Sequence, residues 1–397
     1  MKRINFDHLA SSPILPEVRE AMLPFWGEEI GNPLSQHVFG EKPAKAVEEA
    51  RQNVAHLIHA EPEEIIFTSG GSEANNLAIK GIAQAYAKKG KHLIASPVEH
   101  YSVLHPLKTL ERQGYEISWL RVDGQGMADP KEVRNLIRQD TILLTITATS
   151  NEIGTLEPIA EIGKIARERK VIFHTDAVAA AGSIPIQVRE WNVDLLSLAG
   201  NPLYAPQGTG ALYLKRGIRI APLIEGGIQE DGLRAGTHNV AGIVGMGAAA
   251  KLAAENLPQR REQLLALRNR LIEGLRAKVS ECFLTGHPVD RLPAHVSFCV
   301  KFIEGESMLI HLNLAGIAAT SGSTCSSQAL KVSHVLEAIG IDSLWAQGSV
   351  VFSLGIENTA QDVDVCLGAL SQAVEQLRKI SPLAGAKSFD RFRYRKG

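Results

Sequence analysis

The sequence predicts an α/β protein with a mainly parallel sheet covered on both faces, followed by a smaller carboxy-terminal α+β domain. Three observations carry this expectation. Short apolar runs alternate with amphipathic stretches from about residue 45 to residue 255. The loops after the apolar runs are rich in Gly, Ser, Thr and Asn, as expected where ligands sit at the carboxyl ends of strands. A polar, strongly helical stretch from Leu257 to Val279 then breaks the alternation and reads as the connection into the second domain.

In chain order, Ile65–Phe67, Lys91–Ala95, Thr141–Thr145, Val171–His174, Asp194–Ser197 and Ala211–Leu214 read as buried strands. Ala74–Lys89 and Ile159–Arg169 carry helical periodicity between them. The expected organisation is a segment 1–14 packing with the small domain, a large domain 15–255, a small domain 256–390 and a basic tail 391–397. No internal repeat or low-complexity segment interrupts it.

Composition narrows the function classes. At 397 residues, 45% hydrophobic and 21% charged, the chain sits near globular averages, so two or three domains and no long disordered tail are expected. Lys+Arg total 42 against 43 Asp+Glu, a net charge of −1 that argues against nucleic acid or an anionic membrane as main partner. No run approaches the ~20 apolar residues of a membrane span. The opening MKRINFDHLASSP has no apolar stretch behind its two basic residues, so no signal peptide and a cytoplasmic location are expected. Cys282, Cys299, Cys325 and Cys366 form neither a CxxC nor a Cys/His zinc pattern, so any cysteine of interest is of interest as a thiol.

Several loops carry candidate chemistry. Thr68-Ser69-Gly70-Gly71-Ser72-Glu73-Ala74-Asn75-Asn76 follows a strand and opens a helix; it reads equally as an anion cradle or as a plain helix start with Ser72 as N-cap. Val98-Glu99-His100 places an imidazole past a strand end, where a lone His is more often a satisfied structural residue than a catalytic one. Thr149-Ser150-Asn151-Glu152-Ile153-Gly154-Thr155 and His174-Thr175-Asp176-Ala177 also follow strands, and Asp176 suits either a pyridinium nitrogen or a helix cap.

Taken in order with LYAPQGTGALYL, LRAGTHNVAGIVG, Thr320-Ser321-Gly322-Ser323-Thr324-Cys325 and Ser333-His334, these motifs resemble the class V aminotransferase group, and within it the cysteine desulfurases of iron–sulfur cluster assembly. The likeness runs nearly end to end, from Phe6-Asp7-His8 onward. It implies the fold-type I transferase architecture of pyridoxal-phosphate enzymes, with a mainly parallel seven-stranded sheet, and a homodimer that works with an iron–sulfur scaffold protein. Residue by residue, it implies Gly71 and Ser72 at the cofactor phosphate, with Thr237 reaching that phosphate from the partner subunit. It places His100 stacked on the pyridine ring, Asp176 at the ring nitrogen and Asn151 near the ring oxygen. Cys325 corresponds to the loop cysteine that carries sulfur as a persulfide.

The departures fall in the same pocket. The family's Ser-Gly-His-Lys reads Ala199-Gly200-Asn201-Pro202, with ungapped flanks, so Pro202 stands where the Schiff-base lysine belongs. A proline has no amine to form that bond or to shuttle the proton afterwards. Ala199 and Asn201 replace phosphate-holding Ser and His, Ala179 replaces a Gln, and Ile356 replaces the Arg that forks the substrate carboxylate. Lys215 is expected to point away, and Lys108 or Lys331 would need rearranged loops to substitute.

These features imply a desulfurase-like protein of iron–sulfur assembly or sulfur transfer that does not bind pyridoxal phosphate covalently, a non-covalent mode staying open. Cys325 is expected to serve as persulfide acceptor or transient cluster ligand. Three alternatives stay open: an enzyme repurposed for another small ligand in a more apolar pocket, a structural partner of an active paralogue, and a genuine desulfurase with unorthodox cofactor binding.

Overall fold

The computed structural model describes residues 3–322 and 332–381. Twelve strands are numbered in chain order, beginning with the short β1 (Ile4–Asn5). The large sheet comprises β2 (Ile65–Thr68), β3 (His92–Ala95), β4 (Glu116–Trp119), β5 (Thr141–Thr145), β6 (Ile172–Asp176), β7 (Leu195–Ala199) and β8 (Gly210–Leu214). Their spatial order is β2-β8-β7-β6-β5-β3-β4. Neighbours from β7 through β4 pair in parallel, whereas β8 runs antiparallel to both β2 and β7. This is the seven-stranded, mainly parallel sheet expected from the sequence.

Its two-sided burial explains the unbroken apolar runs. One face packs on Val54, Ile146, Phe173, Leu198 and Met246. The other packs on Leu77, Ile82, Leu93, Leu107 and Leu143. The sequence reading missed β4 because this edge strand, Glu116-Ile117-Ser118-Trp119, is only partly buried and carries little apolar signal.

The helix after β2 spans Gly71–Ala85, three residues earlier at its start than expected. Its N-cap is Gly70, at φ 154°, and Ser72 is not the cap. The turn out of β2 needs a backbone that glycine adopts freely, and Glu73 closes it by accepting the Ser69 N–H at 2.7 Å. The helix Ile159–Arg169 lies where its periodicity put it.

The connection into the second part of the molecule is one helix of 39 residues, Val240–Lys278, which runs straight through Pro258. Pro258 is exposed, and the helix continues past the one backbone donor it lacks. Beyond it, β9 (Cys282–Leu284), β10 (His295–Val300) and β12 (Ser349–Ser353) form an antiparallel sheet with β10 in the middle. This sheet packs with the helices Gly305–Leu314 and Ala360–Ile380 around Leu271, Phe298, Phe352 and Leu370. β1 pairs in parallel with β11 (Ile317–Ala318), and Asp7 bridges to Ser353, so the amino-terminal segment lies against this carboxy-terminal part. Among the described residues no helix is long and apolar enough to cross a membrane.

Candidate functional site

Asp176 ends β6 at its carboxyl edge and opens into a cavity of about 340 Å³. The same cavity is lined by Gly71, Ser72, His100, Asn151, Ala179, Ala199, Asn201 and Pro202, so it gathers most of the sequence-predicted site residues, kept and lost alike. Burial pushes the Asp176 carboxyl upward, while the Val178 N–H and the Asn75 amide pull the other way.

A polar chain fixes the inner wall. The Asn75 Nδ2 donates to Asp176 Oδ2 at 2.6 Å and to Ser102 Oγ at 2.8 Å. Ser102 Oγ lies 2.7 Å from His100 Nδ1, and that nitrogen also accepts the Ser102 backbone N–H at 3.1 Å. Because Nδ1 is an acceptor, a neutral His100 carries its proton on Nε2. His100 is therefore both the N-cap of the helix Tyr101–Arg112 and a wall of the cavity, and both readings of it hold together.

The first turn of the helix Gly71–Ala85 presents its amino terminus to the same space, which suits an anion. A Cβ on Gly71 would meet the Val178 side chain at 2.5 Å, so only glycine fits there.

Pro202 lies in a short 3-10 turn, Asn201–Leu203, that leaves β7. Tyr204 closes the turn at φ 65°. Asn201 uses its amide to tie down the amino-terminal segment: Nδ2 donates to the Ala10 carbonyl at 2.7 Å and Oδ1 accepts the Ser12 N–H at 3.3 Å. The turn is thus anchored in place, and nothing in it offers an amine to the cavity.

No other described lysine takes that place. Lys215 Nζ donates to Asp194 Oδ1 at 2.9 Å, and Lys108 lies in a surface groove with His105 and Arg112. Lys331 lies outside the described residues. Ile356 does not line this cavity but a small neighbouring one of about 30 Å³, which it shares with Pro202 and Tyr204. The pocket is therefore less apolar than the substitutions alone suggested. Thr237 is exposed and outside the cavity.

A second cavity of about 180 Å³ adjoins the first, with His100, Asn151, Leu9 and Ala10 common to both. It adds Asp7, Tyr101, Glu152 and His334, and it ends at Gly322. Burial pushes Asp7 up to about 6 and Glu152 up to about 7, the latter opposed by a hydrogen bond from Ser333. Behind them Glu99 is wholly buried, which drives its carboxyl well above the carboxylate range, and its Oε1 accepts the Thr147 N–H at 2.7 Å. Asn75, Asp7 and Glu152 were not singled out from the sequence as site residues. Asn75 lay inside the quoted glycine-rich motif, and its helical spacing from Ser72 was the available signal.

Cys325 lies outside the described residues. Of the other thiols, Cys299 and Cys366 are buried and pushed up to about 12, and Cys282 is raised by partial burial, so none is primed as a nucleophile. Among the described residues no group of three or more His, Cys, Asp or Glu could hold a metal ion.

The family model described as "Aminotransferase class-V" matches residues 4–366. The chain belongs to the class V aminotransferase family, in its cysteine desulfurase branch. It is 48% identical over 383 residues to "Cysteine desulfurase IscS" of Dictyoglomus turgidum, covering 96% of this chain and 97% of that protein. It is 49% identical over 382 residues to the protein of the same name from Methanosarcina thermophila, covering 96% and 94%. The solved structure titled "NIFS-LIKE PROTEIN" superposes with a TM-score of 0.89 at 33% identity, covering 95% of this chain and all of that one.

The family depends on pyridoxal phosphate, and this pocket fits that group in part. Asp176, Asn75 and His100 suit a protonated heteroaromatic ring, and the helix start at Ser72 suits an anion. For covalent attachment, no described lysine lines either cavity.

Proposed function

We propose that this chain serves sulfur transfer and iron–sulfur cluster assembly as a member of its family that has left pyridoxal-phosphate-dependent desulfuration. The observation that carries the reading is Pro202, held in an anchored turn where the family places its Schiff-base lysine. Cys325 is then the residue that acts, as persulfide acceptor or as a transient ligand to a cluster built on a scaffold protein. A homodimer is part of the reading. The exposed Leu23, Trp26, Ile30, Val38, Phe39 and Ile228 supply apolar surface for a second copy, and Thr237 faces outward from its own cavity.

A second reading, a desulfurase with unorthodox cofactor binding, is favoured by the intact chain Asp176–Asn75–Ser102–His100 and by 49% identity to a protein named for that activity. In cluster reconstitution with an iron–sulfur scaffold, ferrous iron and sulfide, wild type should raise the yield and Cys325→Ser should abolish the gain. Equal yields with both proteins would remove Cys325 from the account.

A further inference from the structure

Arg260, on the helix Val240–Lys278 just past Pro258, is half-buried, and burial lowers its pKa. Among the described residues it has no hydrogen-bond acceptor and no carboxylate at ion-pair distance. Glu17, the acid whose charge it feels, is exposed. By contrast, Arg51 is paired with Glu230 and Arg234 with Glu73, while Arg268 and Arg291 donate to backbone carbonyls. A guanidinium drawn out of water normally finds an acceptor, so one that has none marks a place for an anion.

Arg260 lines the cavity that also holds Ile356, and Leu9 and Pro202 line both this cavity and the larger one. Its volume, about 30 Å³, equals one water's share of the liquid, so a single small group fills it and every lining residue faces that group. Two other lining residues offer it unused polar atoms. The buried Tyr204 accepts the Ile356 N–H at 2.9 Å, and burial raises its pKa, so its hydroxyl keeps a hydrogen to donate. His8 is 4% exposed, and its Nε2 lies 3.1 Å from the Asn5 carbonyl and 3.4 Å from Glu357 Oε1. Both of those groups accept, so the ring hydrogen sits on Nε2. Nδ1, buried without a partner among the described residues, is left as an acceptor.

We propose that this small cavity binds one monovalent anion between the Arg260 guanidinium and the Tyr204 hydroxyl, and that it prefers hydrosulfide to a halide. Arg260 supplies the charge and Tyr204 a second donor. His8 Nδ1 accepts the hydrogen that hydrosulfide carries and a halide lacks. The two acids nearby do not take the anion's place, since Glu17 is exposed and Glu357 is turned to His8 Nε2. Sulfide held there stands next to the larger cavity, across the residues Leu9 and Pro202 that the two share. The assignment rests on Arg260, Tyr204 and His8 and not on Cys325, so equal yields in cluster reconstitution would leave it standing.

Bromide is the halide probe, because anomalous X-ray scattering locates it. Crystals of the full chain grown without chloride and soaked in bromide should show an anomalous peak beside Arg260, and Arg260→Gln crystals should show none there. In anaerobic calorimetry at alkaline pH, where sulfide is the monoanion, hydrosulfide should bind the wild type several-fold more tightly than bromide. Arg260→Gln should weaken hydrosulfide at least tenfold, while Arg260→Lys, which keeps the charge, should weaken it less; thermal unfolding of both variants shows that they fold. No bromide peak beside Arg260, hydrosulfide binding unchanged in folded Arg260→Gln, or bromide binding as tightly as hydrosulfide would overturn the assignment.

Discussion

Pro202→Lys protein, incubated with pyridoxal phosphate and reduced with borohydride, is expected to retain close to one cofactor per chain, where wild type retains none. Position 202 lines the cavity beside Asp176, and the turn that carries it is held by Asn201 and not by the proline ring. A lysine there would meet a pocket whose ring-facing wall is still assembled. Cofactor retention should not bring full desulfurase activity, because Ile356 supplies no fork for a carboxylate. Adding Ile356→Arg to Pro202→Lys should raise kcat/KM for cysteine roughly 10- to 100-fold, the equivalent of about 1.5–3 kcal/mol for a charged hydrogen bond. No gain from the second substitution would mean that Ile356 is not the missing carboxylate contact.

The second large effect is on stability. Glu230 is buried, its side chain 1% exposed, and takes hydrogen bonds from both Arg51 terminal nitrogens, from His238 Nε2 and from the Phe67 N–H. Burial alone would raise its pKa, but these donors bring it down to about 2 from an ordinary 4.5. The fold therefore favours the ionised form. Its contribution, about 3 kcal/mol, is complete above pH 5 and fades as the pH falls toward 2. Glu230→Ala should cost about 3 kcal/mol at pH 7, since it removes the carboxylate that both terminal nitrogens of the largely buried Arg51 bond, leaving that cation Glu48 and the Ile65 carbonyl. The gap between variant and wild type in urea unfolding should narrow at pH 3; a gap of the same size at both pH values would exclude the charge network as its source. Glu230 and Asp231 sit at φ 46° and 53°, so the same network holds a strained turn just before Thr237.

Much of this architecture is legible in the chain. Runs such as Ile142–Leu144 and Val171–Phe173 are apolar because both faces of the sheet are covered, and that pattern survives without any knowledge of the partners. What escaped had a physical reason. β4 is an edge strand and is only partly buried, so its residues carry no clear period. The helix Val240–Lys278 crosses Pro258, an exposed proline that sequence rules read as a stop.

The site divides in the same way. Residues at strand ends, such as Asp176 and Asn151, were visible as motif positions. Asp7 and Glu152 also lay within quoted motifs, but their place at the site was not legible, because they meet only after the amino-terminal segment has crossed to the carboxy-terminal sheet. The loss of Pro202's amine was the easiest feature to read, since a proline in that register leaves no chemical substitute. What its neighbour does was not readable: the Asn201 amide holds Ala10 and Ser12.

The most direct test of the central claim is the visible absorption spectrum of the purified wild-type protein after incubation with pyridoxal phosphate, with cysteine-dependent sulfide release measured on the same sample. No protein-linked cofactor band and no sulfide is the result predicted by Pro202 in its anchored turn. A stable band together with sulfide release would contradict it, and would mean that another amine reaches the cavity beside Asp176.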